Sequence, residues 1–403
     1  MMLFAAALVL TGGTIIGPRT DVPNAVVVIR NGRIQSAGAQ KLTALPKDAR
    51  VIDVTGAYIV PGLTDVFAGL NSQSQANAYL YMGVTSIVGL DEPGGRRGAL
   101  MVNAHPSPTI YRLAVVDKLE DVDAAAKGGA KVLLIYYDVT PDKMPAIVKR
   151  AHALGMATIG ELGRTTYSQA IDAGIDAFVH ASRYALELAS AEMREEVAKS
   201  PFGPPRTKFY EYLASLDPNS PAVSAWAKRL AASRVSLIPT LSLYYFDLPN
   251  HENPWLEPIA AILDPKDIHL PLDRDTGAAK PAPGVPAGLS QKVLRIEERN
   301  CRAGAHYLAG SGTSAFGTMP GISLHNELRM LTELGLTPRQ AIGAATWRVS
   351  EAFHWRGIGE VAANDKADLV VVDADPTRDI ANLKKIRMVI HDGEIVDRAA
   401  ILK

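Results

Sequence analysis

Hydrophobic positions fall into short β-type runs at both ends of the chain, with alternating strand-like and helix-like runs between them. The first ten residues are all apolar and lead into Thr11-Gly12-Gly13-Thr14-Ile15-Ile16, which reads as strand, glycine turn, strand. Ten residues make about 15 Å of helix, half a bilayer core, so this run is expected to be a buried first strand and not a membrane span. Val26-Val27-Val28-Ile29 runs into Asn31-Gly32, a type I′ hairpin signal, and then Arg33-Ile34-Gln35. Val51-Ile52-Asp53-Val54 and Tyr58-Ile59-Val60 continue the β pattern.

From Pro61 to about residue 357 the period changes. Strand runs are expected at 83–89, 131–137, 157–160, 177–180, 235–243 and 306–310, alternating with amphipathic helices. One helix spans 141–154 and stops at Gly155; another is capped by Thr337 with Pro338 in its first turn. Repeated β-α units predict an α/β fold, a (β/α)8 TIM-like barrel over residues 61–357. The strand Ala367-Asp368-Leu369-Val370-Val371-Val372 and the run Met388-Val389-Ile390 before Asp392-Gly393 restore the β pattern. Residues 1–60 and 358–403 are therefore expected to form one small composite β-sandwich domain. Two Pro-rich loops, 201–206 and 280–288, interrupt the barrel and suit either lids or plain insertions.

Composition narrows the function. The 403 residues carry 42 Lys+Arg against 42 Asp+Glu, a balance that argues against a nucleic-acid binder, because phosphate-tracking surfaces need a basic excess. A single cysteine, Cys301, excludes a disulfide framework and a thiolate zinc site. Nine histidines leave a histidine-carboxylate metal site open until they are located. The sequence leaves two compartments open, the cytoplasm and, if an upstream signal peptide has been removed, the periplasm.

Several phrases, in order along nearly the whole chain, resemble the amidohydrolase superfamily, in particular its imidazolonepropionase-like and prolidase-like branch. They are Val51-Ile52-Asp53 to Pro61-Gly62-Leu63-Thr64-Asp65, Gly83-Val84-Thr85, Ala151-His152-Ala153-Leu154-Gly155, and Ala173-Gly174 to His180. Pro320-Gly321-Ile322-Ser323-Leu324-His325 with Glu327-Leu328, Ala344-Ala345-Thr346 and Lys366-Ala367-Asp368-Leu369 complete the set. The resemblance implies divalent metal at the barrel mouth, where it lowers the pKa of bound water. It also implies ligands from a His-x-His after the first barrel strand, a Lys on the fourth, a His on each of the fifth and sixth, and an Asp on the eighth. Here those positions hold Phe67 and Gly69, Leu134, Glu161, His180, and Gly312 or Ser314. Only Glu161 and His180 have ligating side chains, too few for tight zinc. The expectation is a dismantled metal site and no cofactor.

The parent geometry would bring Glu161, His180 and Ser314 (or Ser311) together, the residue types of a Ser-His-Glu relay. One by one they also read as an ion-paired carboxylate, a hydrogen-bonded mouth histidine and a loop serine. Arg183, Tyr136, Tyr137, Tyr244 and Phe67 are expected to line a substrate site, alongside Asp91, Glu92, Asp138, Tyr184, Thr240, Ser242 and Tyr245. The loop 94–98 fits no nucleotide motif. Three readings follow. The first is a metal-free hydrolase or lyase of a small organic molecule, using the relay or His180 and Glu161 alone for acid-base chemistry. The second is a pseudoenzyme binding a small molecule or protein at the mouth, and the third a metallohydrolase with ligands elsewhere. The expected partner is a small-molecule substrate, with no nucleic acid and no membrane; barrels of this type often form homo-oligomers.

Overall fold

The structure is a computed structural model and describes residues 6–40, 45–93, 98–248, 250–264, 268–280, 286 and 288–403. β1 (Leu8–Ile15), β2 (Val22–Arg30) and β3 (Arg33–Ala39) form an antiparallel meander. Asn31 and Gly32 both take positive φ, 51° and 74°, as the tight turn between β2 and β3 requires. Strand period divides β2 between two cores: Val27 and Ile29 pack with Leu10, whereas Val26 and Val28 pack with Ala7 and Val9. β4 (Arg50–Asp53) and β5 (Tyr58–Pro61) lie parallel to β1.

The second sheet holds eight strands in sequence order. They are β6 (Leu63–Ala68), β7 (Val84–Asp91), β8 (Thr109–Val116), β9 (Val132–Ile135), β10 (Ala157–Gly160), β11 (Ala177–Val179), β12 (Ser236–Ile238) and β13 (His306–Tyr307). Every neighbouring pair is parallel, and the sheet curls into a TIM-like form. The Val66 N–H bonds the Ala309 carbonyl at 3.0 Å and the Gly312 N–H bonds the Phe67 carbonyl at 2.8 Å, tying β6 to the segment after β13. Side chains on the inner face, among them Val66, Val88, Leu113, Val132, Ile159, Val179 and Ile238, fill the interior. Val349 and Phe353 cover it near the start of β8, where Tyr111 stacks on Trp355 with ring centres 4.2 Å apart.

After the curled sheet the chain returns to the first one. β14 (Leu369–Val372) pairs antiparallel with β5, followed by β15 (Ile386–His391) and β16 (Glu394–Ile395), so both chain ends share a sheet.

Three differences from the sequence reading bear on the site. The strand expected over 235–243 stops at Ile238, because Pro239 removes a donor and Thr240 turns left-handed at φ 51°. Residues Leu241–Asp247 then form a 3₁₀ helix, so Thr240, Ser242, Tyr244 and Tyr245 do not alternate along a strand. The loop 201–206 is partly helical: Pro204 begins a helix over Pro204–Ser215, the first turn having no use for the missing N–H. Most of the other two loops, 94–97 and 281–285 with 287, lies outside the described residues. Among the described residues no helix is long and apolar enough to cross a membrane.

Candidate active site

The C-terminal ends of the curled sheet's strands surround a cavity of about 410 Å³. Phe67 on β6, Glu161 just after β10, His180 just after β11, and Ser314 beyond β13 all face it, with Tyr136, Arg183 and Tyr244. This is the face on which TIM-like folds carry their chemistry, because the loops there vary without disturbing the strands.

His180 is 6% exposed and leaves β11 with φ 65°, starting the short helix Ala181–Tyr184. Its Nδ1 lies 2.8 Å from Thr240 Oγ1, and that oxygen lies 2.7 Å from the Pro239 carbonyl. A carbonyl only accepts, so the Thr240 hydroxyl donates to Pro239 and accepts from the ring. Neutral His180 is thereby held with its proton on Nδ1 and its lone pair on Nε2. Both residues of this pair have positive φ, a conformation that costs free energy for non-glycine residues and persists where the surroundings enforce it. Phe67 packs edge-on against the imidazole, ring centres 5.1 Å apart.

Thr240→Val keeps the shape at 240 and removes the acceptor. The expected result is loss of the single Nδ1–H tautomer in ¹⁵N NMR of the His180 ring, with Thr240→Ser restoring it; indistinguishable spectra from Val and Ser would contradict the assignment.

Glu161 was expected to orient His180. Its carboxylate instead accepts from the Tyr137 hydroxyl and pairs with Arg183 Nε at 3.3 Å, while Thr240 occupies the Nδ1 position of the relay. Burial pushes the Tyr137 phenol well above its ordinary pKa, so it stays protonated and donates. Tyr137 is 2% exposed and faces Glu161 behind the wall, whereas Tyr136 lines the cavity. Tyr137 is accordingly a support for the carboxylate and not a substrate contact.

The two candidate serines separate clearly. Ser311 is fully buried below the cavity; its hydroxyl bonds Thr313 Oγ1 at 2.6 Å and its N–H bonds Asp65 Oδ1 at 2.8 Å. That position removes it as a nucleophile. Ser314 lines the cavity, and its Oγ has no hydrogen-bond partner among the described residues. Asp91 is occupied structurally by Arg112 at 2.6 Å, and Asp138 pairs with Arg164 at 3.4 Å.

A second polar cluster lies beneath the cavity. The Ser242 N–H bonds Glu327 Oε2 at 2.7 Å and its hydroxyl bonds the Ser311 carbonyl at 2.6 Å, linking Glu327 through Ser311 to Asp65. Asp65 Oδ2 and Glu327 Oε1 are buried without partners. Burial pushes the Asp65 carboxyl up to about 7, against the opposing Ser311 hydroxyl and N–H and the Phe67 N–H. Burial likewise raises Glu327 well above the carboxylate range.

Residues that sequence reasoning missed come from the insertions. Phe202, Arg206 and Tyr210 enter the cavity from the segment 201–210, and Leu243 and Asp247 from the 3₁₀ helix. The prolines of 201–206 marked the insertion without indicating which side chains it would deliver.

The curled parallel sheet with its cavity at the strand ends defines the TIM-like class of scaffold. The amidohydrolase family profile matches residues 228–396, and the amidohydrolase superfamily is the class that the sequence and fold comparisons support. Among solved structures, a bottromycin amidohydrolase is similar at 18% identity over 98% of this chain and 88% of that one, with a TM-score of 0.66. A Xaa-Pro dipeptidase with bound methionine matches at 14% identity over 97% and 99% of the two chains, TM-score 0.63. A putative prolidase from Bifidobacterium longum matches at 20% identity over 99% and 98%, TM-score 0.61. No curated protein matches the chain.

The superfamily's divalent metal does not fit these residues. Phe67 fills one ligand position with a ring packed on His180. Gly69 has no side chain, and Leu134 lines the cavity as an apolar wall. Among the described residues no group of three or more His, Cys, Asp or Glu could hold a metal ion.

Proposed function

We propose that the chain is a metal-independent hydrolase of an ester, amide or similar bond in a small organic molecule, or a lyase using the same groups. The observation that carries this reading is the Thr240–His180 bond, which directs a neutral imidazole's lone pair to Nε2 on a cavity-lining residue. Nε2 can take the proton of a water as its oxygen adds to a carbonyl carbon, then return that proton to the leaving group. In the lyase variant it takes a C–H proton instead. Glu161, fixed by Tyr137 and Arg183, supplies a charge that favours the imidazolium formed in either case. Ser314, with its unpartnered hydroxyl, offers a covalent route through the same base.

Protein purified without added metal is expected to carry less than about half an equivalent of zinc and to keep its activity on esters, lactones, amides and carbamates after chelation. Stoichiometric zinc that resists chelation would overturn the reading. A fluorophosphonate adduct on Ser314 would assign the covalent route; undiminished turnover without an adduct would assign the acid-base route.

A further inference from the structure

We infer that the Arg183–Arg206 end of the cavity is a subsite for the carboxylate of an aromatic substrate. The inference rests on the cavity being the substrate site, as proposed above, and names the class of molecule it takes.

Arg183 is 5% exposed and lines the cavity. Its Nε is committed to Glu161 at 3.3 Å, and Nη2 reaches the Pro201 carbonyl only at 3.4 Å. Nη1 is buried with no acceptor among the described residues. A guanidinium is always charged and presents its donors in a planar fork, so an idle N–H on one edge is a place prepared for an oxygen. Buried donors are nearly always satisfied in folded proteins, and this unsatisfied one belongs to a side chain that lines a cavity.

A second cation converges on the same place. The guanidinium carbon of Arg183 lies 5.7 Å from the Phe202 ring centre and 5.9 Å from that of Tyr210. The guanidinium carbon of Arg206 lies 5.6 Å and 5.5 Å from the same two rings. Two like charges sharing two rings repel, and among the described residues Glu161 is the one carboxylate paired with either of them. Arg206 itself has no ion pair among the described residues. Of the cavity's other carboxylates, Asp247 accepts from the Ser290 hydroxyl and Glu92 comes from the part of the mouth that follows β7. An incoming carboxylate would supply the acceptor that Nη1 lacks and relieve the repulsion between the two arginines.

The aromatic half of the inference comes from the walls. Phe67, Phe202, Phe316, Tyr210 and Tyr244 line the cavity, and Phe202 and Phe316 are 40% and 52% exposed at its edge. Exposed aromatics around a cavity provide apolar contact for a planar ring at small entropic cost. Arg183 follows His180 by three residues on the same helical turn, and its N–H bonds the His180 carbonyl at 2.7 Å. The labile bond therefore lies only a few atoms from the carboxylate.

The test is calorimetric titration of the full chain with 3-phenylpropionate, 3-phenylpropanamide and 3-phenylpropylamine, which share a skeleton and differ in charge. The carboxylate is expected to bind at least about tenfold tighter than the amide, with the amine weakest and the preference shrinking as salt rises. Arg206→Gln should reduce the preference, and Arg183→Lys, which keeps the charge but loses the fork, should reduce it further. Amide or amine binding as tight as the acid, or no binding of any of the three, would overturn the inference. His180→Ala should keep the carboxylate preference while losing turnover, so the subsite and the catalytic reading can fail separately.

Discussion

His180→Ala is expected to lower kcat/KM by about 10²–10⁴-fold on whichever ester, lactone, amide or carbamate the protein turns over, the range lost when a positioned base is removed. The imidazole is the one cavity-lining group whose tautomer is fixed by a described partner, through Thr240 to Pro239. Its removal also deletes the edge contact to Phe67, so the fold must be checked by circular dichroism. His180→Gln keeps more of the volume and offers no base, and it should lose as much activity. Turnover within a few-fold of wild type in both variants would refute His180 as the base. Retention in one alone would point to packing.

The second large effect concerns stability. Asp65 is fully buried with its carboxyl raised to about 7 from 3.8, so the folded chain keeps a proton that the unfolded chain releases. Between those two values the folded state binds more protons, and stability falls as pH rises through the window. A shift of about three units corresponds to roughly 4 kcal/mol, as an upper bound for a coupled buried group. Asp65→Asn cannot ionise and can keep the acceptor for the Ser311 N–H. The stability difference between variant and wild type should therefore grow in the variant's favour from pH 4.5 to pH 8, read by urea unfolding. His325 pulls the other way: burial lowers it to about 4, so its contribution rises with pH, but it is present in both proteins and cancels. Parallel pH profiles for the two proteins would show that Asp65 is not held protonated.

Much of the scaffold is legible in the sequence because fully apolar runs such as Val132–Ile135 and Ala177–Val179 have few alternatives to a buried parallel strand. β8 is less visible. Thr109–Val116 carries Tyr111 and Arg112 in its middle, and only the fold explains them: Tyr111 stacks on Trp355, and Arg112 bonds Asp91. The end of β12 was overextended because an apolar run continues past Pro239, while the left-handed Thr240 redirects it.

At the site, strand-end positions were readable and partners were not. Glu161, His180 and Ser314 do line one cavity. Which atom bonds which depends on turns of a residue or two. Gly312, at φ 70°, separates a sealed Ser311 from a cavity-facing Ser314. The step from Tyr136 to Tyr137 exchanges the cavity for the Glu161 side of the wall. Thr240 is one polar rim residue among several in the sequence. Its role appears only when β11 and β12 end side by side, each in a left-handed residue.

Gly69 sits where the chain leaves no room for a side chain. A Cβ at this position would sit 3.0 Å from Ser314 Oγ, 3.1 Å from the Ser314 nitrogen and 3.2 Å from the Thr313 carbonyl oxygen. Contacts that tight oblige the Thr313-Ser314 backbone to give way, and a histidine side chain would require still more room. A histidine introduced at 69 would thus displace the serine that faces the cavity. Position 69 is therefore closed to a larger residue unless the loop is remodelled, whereas the cavity beside it can be altered by side chains alone.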